Sequence, residues 1–127
     1  MKVYDGKDIR NVGVVGHGDS GKTTLVSALL YTAGMVNRLG RVDDGTTVTD
    51  FDEEEIQRKV TISTALAFAE WNKVKVNFLD TPGYNIFLND TRASLVAADA
   101  ALILVDAVAG VEVQTEKVWA FAEEFGQ

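Results

Sequence analysis

The chain has 127 residues, of which 46% are hydrophobic and 24% charged, so it fits one folded globular domain and not a disordered segment. Its formal net charge is −7 and its lysines and arginines form no run, which argues against direct, sequence-specific binding of nucleic acid. It has no cysteine, no apolar signal core and no membrane-spanning apolar run, so we expect a cytoplasmic protein without disulfides, thiolate metal sites or membrane contact.

The first part of the chain predicts a strand, a glycine-rich loop and a helix. Residues 9–15 form a β-branched run, and residues 22–33 show helical periodicity before Gly34. The apolar positions that share one face of this helix are Val26, Leu29, Leu30 and Ala33. Residues 34–61 are rich in Gly, Asp, Thr and Glu and are too long for a simple connector, which predicts a mobile, functional loop.

The second part predicts a hairpin followed by alternating helices and a strand. Residues 61–71 and 73–79 indicate two strands joined by a tight turn, and the second strand ends at Asp80. Residues 85–98 predict a helix, and residues 100–107 are nearly all apolar, which is typical of a central strand covered on both faces. A last helix has its core positions at helical spacing: Val111, Thr115, Val118, Ala122 and Phe125.

This order of elements predicts an α/β fold with a mostly parallel sheet, helices on both faces and one hairpin-paired edge strand. The chain ends on a helix with no strand to return to the sheet. We therefore expect a portion of a domain that is truncated before its last strands.

Residues 16–23 match the phosphate-loop pattern G-x-x-x-x-G-K-[ST] between the predicted strand and helix. The loop's N–H groups would surround a phosphate, and glycines would keep side chains out of their way. Lys22 would reach the β- and γ-phosphates, and the Thr23 hydroxyl would bind Mg²⁺. A plain glycine-rich turn would need neither residue at this spacing.

Two residues within the loop have other predicted roles. We expect His17 to hold the loop by hydrogen bonding and not to act as a base. Asp19 would lie among phosphates, where a carboxylate alone is unfavourable, so it implies a cation nearby.

Two further stretches are candidates for sensing a phosphate. Asp80 and Gly83 belong to Asp-Thr-Pro-Gly at a strand end, where the aspartate could hold Mg²⁺ through water and the glycine N–H could meet a γ-phosphate. Thr61, at the end of the long polar loop, could complete Mg²⁺ coordination when the γ-phosphate is present. On spacing alone, an ordinary strand threonine is about as good an interpretation of Thr61.

These motifs resemble the GTPase domain of elongation factor G, and most closely its divergent bacterial paralogues. The similarity extends from about residue 9 to residue 127 and rests on four stretches of this sequence: GHGDSGKTT, GRVDDGTTVTDFDEEEIQRKVTIS, DTPGY and VDAVAGVEVQTEKVW. It implies a P-loop NTPase of the Ras-like G-domain type. Within it, the phosphate-binding loop would be residues 16–24, switch I about residues 35–62 and switch II about residues 80–98.

The resemblance also implies the site residues and ligands. GTP or GDP would be bound by Gly16, His17, Gly18, Asp19, Ser20, Gly21, Lys22, Thr23, Thr24, Asp80, Thr81, Pro82 and Gly83. Mg²⁺ would be held by Thr23, Thr61 and Asp80, with a monovalent cation near Asp19. The residues assigned to catalysis are Lys22, Thr61, Gly83 and Tyr84. The protein would act with the ribosome, and we expect a monomer.

The sequence departs from the family pattern at several positions. Tyr84 stands where the family has a histidine that positions the attacking water. Gly18 replaces a bulky apolar residue of the loop, and Lys59 replaces a glycine. These two changes put in question the family's apolar gate around the catalytic residue, of which Val60 would be the remaining half. Tyr84 could orient water by its hydroxyl, or it could simply pack near Phe87 and the following helix.

Three functions fit the sequence. The leading interpretation is a Mg²⁺-dependent GTPase stimulated by the ribosome, and the second is a nucleotide-sensing, ribosome-binding paralogue with little hydrolysis. The third is a P-loop protein that uses ATP. The guanine-reading motif Asn-Lys-x-Asp does not occur in the sequence, so guanine preference rests on the resemblance.

Overall fold

The computed structural model describes residues 2–37 and 63–127, together with Leu39 and Gln57. Its helices and strands follow the predicted order: β1 (Ile9–Gly16), α1 (Lys22–Thr32), β2 (Ala65–Trp71), β3 (Val74–Asp80), α2 (Leu88–Val96), β4 (Ala100–Leu104) and α3 (Val113–Glu124). Short 3-10 turns precede β1 and α2 at Gly6–Asp8 and Asn85–Phe87. Within these ranges, the helices are too short or too polar to cross a membrane.

The four strands form one sheet in the order β2-β3-β1-β4. Strand β1 is parallel to both β3 and β4, whereas β2 and β3 are antiparallel. The predicted α/β sheet, mostly parallel with a hairpin strand at one edge, is confirmed. The hairpin turns at Asn72 and Lys73, whose φ angles of 49° and 67° both lie in the left-handed region that a two-residue type I′ turn requires.

Helices cover both faces of the sheet, as predicted. Successive residues of a strand point to opposite faces, so Val14 and Val15 of β1, both fully buried, belong to different clusters. On one face, Val14 packs with α1 and with the β2–β3 hairpin. On the other face, Val15 packs with α2 and α3. The two clusters fix the C-terminal end of β1, from which the phosphate loop departs.

Strand β4 ends at Leu104, earlier than predicted, but both of its faces are covered as expected: Leu104 packs with one cluster, and Ala101 and Ile103 pack with the other. One expectation about the last helix was wrong. Val111 is not a core residue of the last helix, because α3 begins two residues later and leaves Val111 66% exposed. Gln114 takes a buried place on that helix.

Candidate nucleotide-binding site

The phosphate loop and the Asp-Thr-Pro-Gly segment meet at one end of the sheet. The loop connects β1 to α1, and Asp80 ends β3, whose register places it opposite Val14 of β1. The carboxyl ends of neighbouring parallel strands thus bring together two motifs that lie 57 residues apart in the sequence. Ligands of α/β proteins bind at the carboxyl ends of the parallel strands, as here.

Lys22 is the buried cation of the loop. Only 6% of the residue is exposed, and its Nζ donates hydrogen bonds to the His17 carbonyl oxygen at 2.7 Å and to Ser20 Oγ at 3.4 Å. Burial lowers the pKa of Lys22 to about 8, although the charges of Asp80 and Asp19 oppose this shift. A desolvated ammonium held by neutral oxygens is well placed to gain from an anion.

Thr23 and Asp80 form a buried polar pair beside this ammonium. Thr23 Oγ1 donates a hydrogen bond of 2.7 Å to Asp80 Oδ2, and the aspartate is fully buried. A hydroxyl and a carboxylate are the oxygen ligands that Mg²⁺ prefers in P-loop proteins. The chemistry of this donor set therefore fits the predicted cation.

The three glycines of the loop each meet a different constraint within the protein, beyond the phosphate clearance predicted from the sequence. A Cβ on Gly16 would lie 2.6 Å from the Leu104 carbonyl oxygen of β4. A Cβ on Gly21 would meet nothing, but Gly21 directly precedes α1 and has a left-handed φ of 91°. A Cβ on Gly18 would lie 2.6 Å from Cζ of Tyr84. Only the last of these involves the second motif.

Gly83 and Tyr84 lie against the loop. A Cβ on Gly83 would be 2.5 Å from Lys22 Nζ and 2.7 Å from the Gly18 nitrogen, so the Gly83 backbone is close to both. The Tyr84 hydroxyl donates a hydrogen bond of 3.2 Å to Asp19 Oδ2. Burial, followed by the charge and hydrogen bond of Asp19, raises the pKa of Tyr84. Tyr84 thus contacts the phosphate loop.

Two threonines fix the Asp-Thr-Pro-Gly segment to the scaffold. Thr81 is fully buried, and its hydroxyl donates a hydrogen bond of 2.7 Å to the Val14 carbonyl oxygen. Thr91 of α2, also fully buried, donates one of 2.9 Å to the Pro82 carbonyl oxygen. The Thr81 side chain thus holds β3 to β1. Sequence reasoning missed Thr91, since nothing distinguishes it from other helix threonines.

The remaining predicted residues lie at the rim or outside the described ranges. The His17 backbone carbonyl braces the loop, whereas its Nε2 lies 3.6 Å from Glu112 Oε1 just before α3. Glu112 was not predicted, because a single acidic residue in a loop gives no signal. Thr24 is exposed and Ser20 half-buried. Thr61, with most of the expected switch I, lies outside the described residues.

Residues 7–127 match the model of the family described as the elongation factor Tu GTP binding domain. The chain belongs to this family of translational GTPase domains. Two curated relatives are similar to it: ribosome-releasing factor 2, mitochondrial, of Debaryomyces hansenii is 45% identical over 117 residues, and elongation factor G 2 of Streptomyces coelicolor is 44% identical over 118 residues. These alignments cover 92% and 93% of this chain but 14% and 17% of the relatives, so the chain spans less than a fifth of their length.

Solved structures confirm the G-domain fold. A crystal structure of a Thermus thermophilus protein is 48% identical with a TM-score of 0.89, over 94% of this chain and 18% of that one. The bacterial selenocysteine-specific elongation factor EF-Sec is 25% identical with a TM-score of 0.73, over 92% of this chain and 18% of that one. The predicted resemblance to the elongation factor G type is thereby confirmed.

Proposed function

We propose that this chain is the phosphate-binding portion of a GTPase domain of the elongation factor G type. It binds GTP and GDP, hydrolyses GTP with Mg²⁺ and acts with the ribosome in the cytoplasm. The observation that carries the proposal is the buried Lys22 ammonium beside the Thr23–Asp80 pair, under a glycine loop at the start of a helix. The preference for guanine is inferred from the family match, because this sequence has no Asn-Lys-x-Asp motif.

Each residue of the site has a defined role in this proposal. The loop N–H groups and Lys22 bind the phosphates and stabilise the charge that develops during hydrolysis. Thr23 and Asp80, joined by Thr61 in the triphosphate state, hold Mg²⁺, which neutralises charge on the phosphate oxygens. Gly83 offers its N–H to the γ-phosphate. Asp19, exposed at the rim, binds a monovalent cation.

A nucleotide sensor with little hydrolysis is the second candidate function. The observation that favours it is Tyr84, which replaces the family histidine and is held to Asp19 by its hydroxyl. A phenol can orient water but cannot supply positive charge. The rate of hydrolysis on ribosomes separates this candidate from the leading one.

The decisive test of nucleotide binding is Lys22→Ala in the full-length protein. We expect the affinity for GDP and for a non-hydrolysable GTP analogue, measured by calorimetry, to fall by about 100-fold or more, since a buried charged contact is lost. Lys75→Ala is the matched control, because Lys75 lies at the other end of β3, over the Phe68 ring. Unchanged affinity in Lys22→Ala would contradict the proposal.

Thr61→Ala tests the proposed switch. The analogue should lose more affinity than GDP, because only the triphosphate would recruit Thr61. Calorimetric titration of both nucleotides measures the difference. Equal losses for the two nucleotides would argue that Thr61 has no sensing role.

A further inference from the structure

Tyr84 and Gly18 are complementary in shape, although they lie on different motifs. The hydroxyl end of the tyrosine ring occupies the space that a side chain at position 18 would need, with Cζ, Cε1 and Cε2 at 2.6, 2.9 and 3.0 Å from an added Cβ. Gly18 does not have a left-handed φ, so its backbone would accept other residues. The glycine is therefore required by the contact and not by the conformation of the loop.

The same contact holds Gly83 over the lysine. The Tyr84 ring on Gly18 and its hydroxyl on Asp19 are two attachments that directly follow Gly83 in the chain. Gly83 is buried, and its backbone approaches Lys22 Nζ and the Gly18 nitrogen. These two nitrogens are donors that a phosphate loop offers to its anion.

We propose that Tyr84 determines which nucleotide state the site prefers. With its ring on Gly18 and its hydroxyl on Asp19, it keeps Gly83 against the donors that would receive the terminal phosphate of a triphosphate. We call these three residues, Gly18, Asp19 and Tyr84, the latch. A triphosphate has to move Gly83 off these donors, to a position from which its N–H can meet the γ-phosphate, and this movement opens the latch. A diphosphate binds with the latch closed. The proposal rests on the proposed nucleotide site.

The latch lowers the affinity for the triphosphate by the free energy of its own contacts. A ligand shifts a conformational equilibrium only by its differential affinity for the two states, so part of the γ-phosphate's binding energy is used to open the latch. Asp19 is exposed, so water replaces the tyrosine hydroxyl when the latch opens, and screening limits the effect of the freed carboxylate.

Two substitutions at Tyr84 test the latch by equilibrium binding. The quantity is the ratio of Kd for the non-hydrolysable analogue GppNHp to Kd for GDP, measured by calorimetry on the full-length protein. Tyr84→Phe removes the hydrogen bond and should lower this ratio by about 3- to 10-fold. Tyr84→Ala also removes the ring and should lower it by about 10-fold or more. Tyr4→Phe is the matched control, because Tyr4 donates a 2.6 Å bond to Glu70 away from the loop.

Gly18→Ala tests the latch by changing the phosphate-loop side of the contact with Tyr84. The added Cβ cannot coexist with the present ring position, so the ratio should fall in the same direction as for Tyr84→Ala. In the Tyr84→Ala background, Gly18→Ala should have no further effect, because the contact is already gone. If both nucleotides bind but the Tyr84 variants leave the ratio unchanged, the latch is wrong. If the wild-type protein binds neither nucleotide, both the proposed function and the latch are wrong.

Discussion

Both ends of strand β3 carry residues that lower the stability of the fold, but these residues are buried at one end and exposed at the other. At its C-terminal end, polar and charged groups are buried together: Lys22, Thr23, Asp80 and Thr81, all less than 9% exposed. At its N-terminal end, the hairpin turn is exposed, with Trp71 56% exposed and a lysine in a left-handed conformation. Buried polar groups lower stability unless they are paired, and a ligand site justifies that loss. The cost at the hairpin is local and has no ligand to compensate it.

The largest effect is expected from removing the hydroxyl of the buried pair. Thr23→Val keeps the shape of the side chain but withdraws the hydrogen bond to the fully buried Asp80 carboxylate. We expect the unliganded protein to lose on the order of 1–3 kcal/mol in its free energy of unfolding. The dependence of nucleotide affinity on Mg²⁺ should also disappear. Denaturant unfolding and calorimetry with and without Mg²⁺ measure the two effects.

Thr23→Ser is the control for this pair, because it retains the hydroxyl. It should preserve the Mg²⁺ dependence and most of the stability. If Thr23→Val keeps the full Mg²⁺ dependence, the hydroxyl is not a ligand, and the two ends of β3 then differ only in burial.

The rate of GTP hydrolysis tests Tyr84, which follows the C-terminal end of β3 near the proposed nucleotide site. If Tyr84 orients the attacking water, Tyr84→Phe should lower ribosome-stimulated hydrolysis by about 10- to 100-fold at saturating GTP, or one to three kcal/mol in the barrier. Tyr84→His should raise it, because a histidine can carry positive charge. Single-turnover measurements with and without ribosomes give both values. No loss in Phe and no gain in His would remove Tyr84 from catalysis and leave it only the latch.

The pH dependence of Lys22 should have opposite signs for folding and for binding. Its pKa is about 8 in the folded protein against an ordinary value of 10.5, so between these values the unfolded chain binds more protons and stability rises with pH. Phosphates favour the protonated lysine, so nucleotide affinity should fall by up to about tenfold per pH unit above 8. Thermal unfolding and calorimetry between pH 7.5 and about 9 measure the two slopes.

Lys22→Arg separates this titration from that of other groups, because arginine stays charged throughout the range. Any affinity it retains should vary little with pH. A wild-type affinity that is equally flat would show that Lys22 remains fully charged in the free protein.

Local patterns were sufficient to predict the order of elements and the phosphate loop, because strand periodicity and motif spacing involve neighbouring residues. They did not predict contacts that depend on tertiary structure. Gly18 and Tyr84 each depart from the family pattern, but their contact joins residues 66 positions apart and follows from the pairing of β1 with β3. The contact of Glu112 with His17 was missed for the same reason.

The smallest effect is expected at the exposed hairpin, where a substitution should stabilise the protein without affecting the site. Lys73 has a φ of 67°, which costs an L-residue about 1–2 kcal/mol, and Gly adopts this conformation freely. Because glycine also gains entropy in the unfolded chain, Lys73→Gly should raise the free energy of unfolding by a net amount of about 0.5–1 kcal/mol. Lys73→Ala keeps the unfavourable φ and should gain nothing. Denaturant unfolding measures both variants, and nucleotide affinity should stay at the wild-type value. Equal stability of the Gly and Ala variants would mean that the turn stores no strain, and the contrast between the two ends of β3 would then rest on the buried polar groups alone.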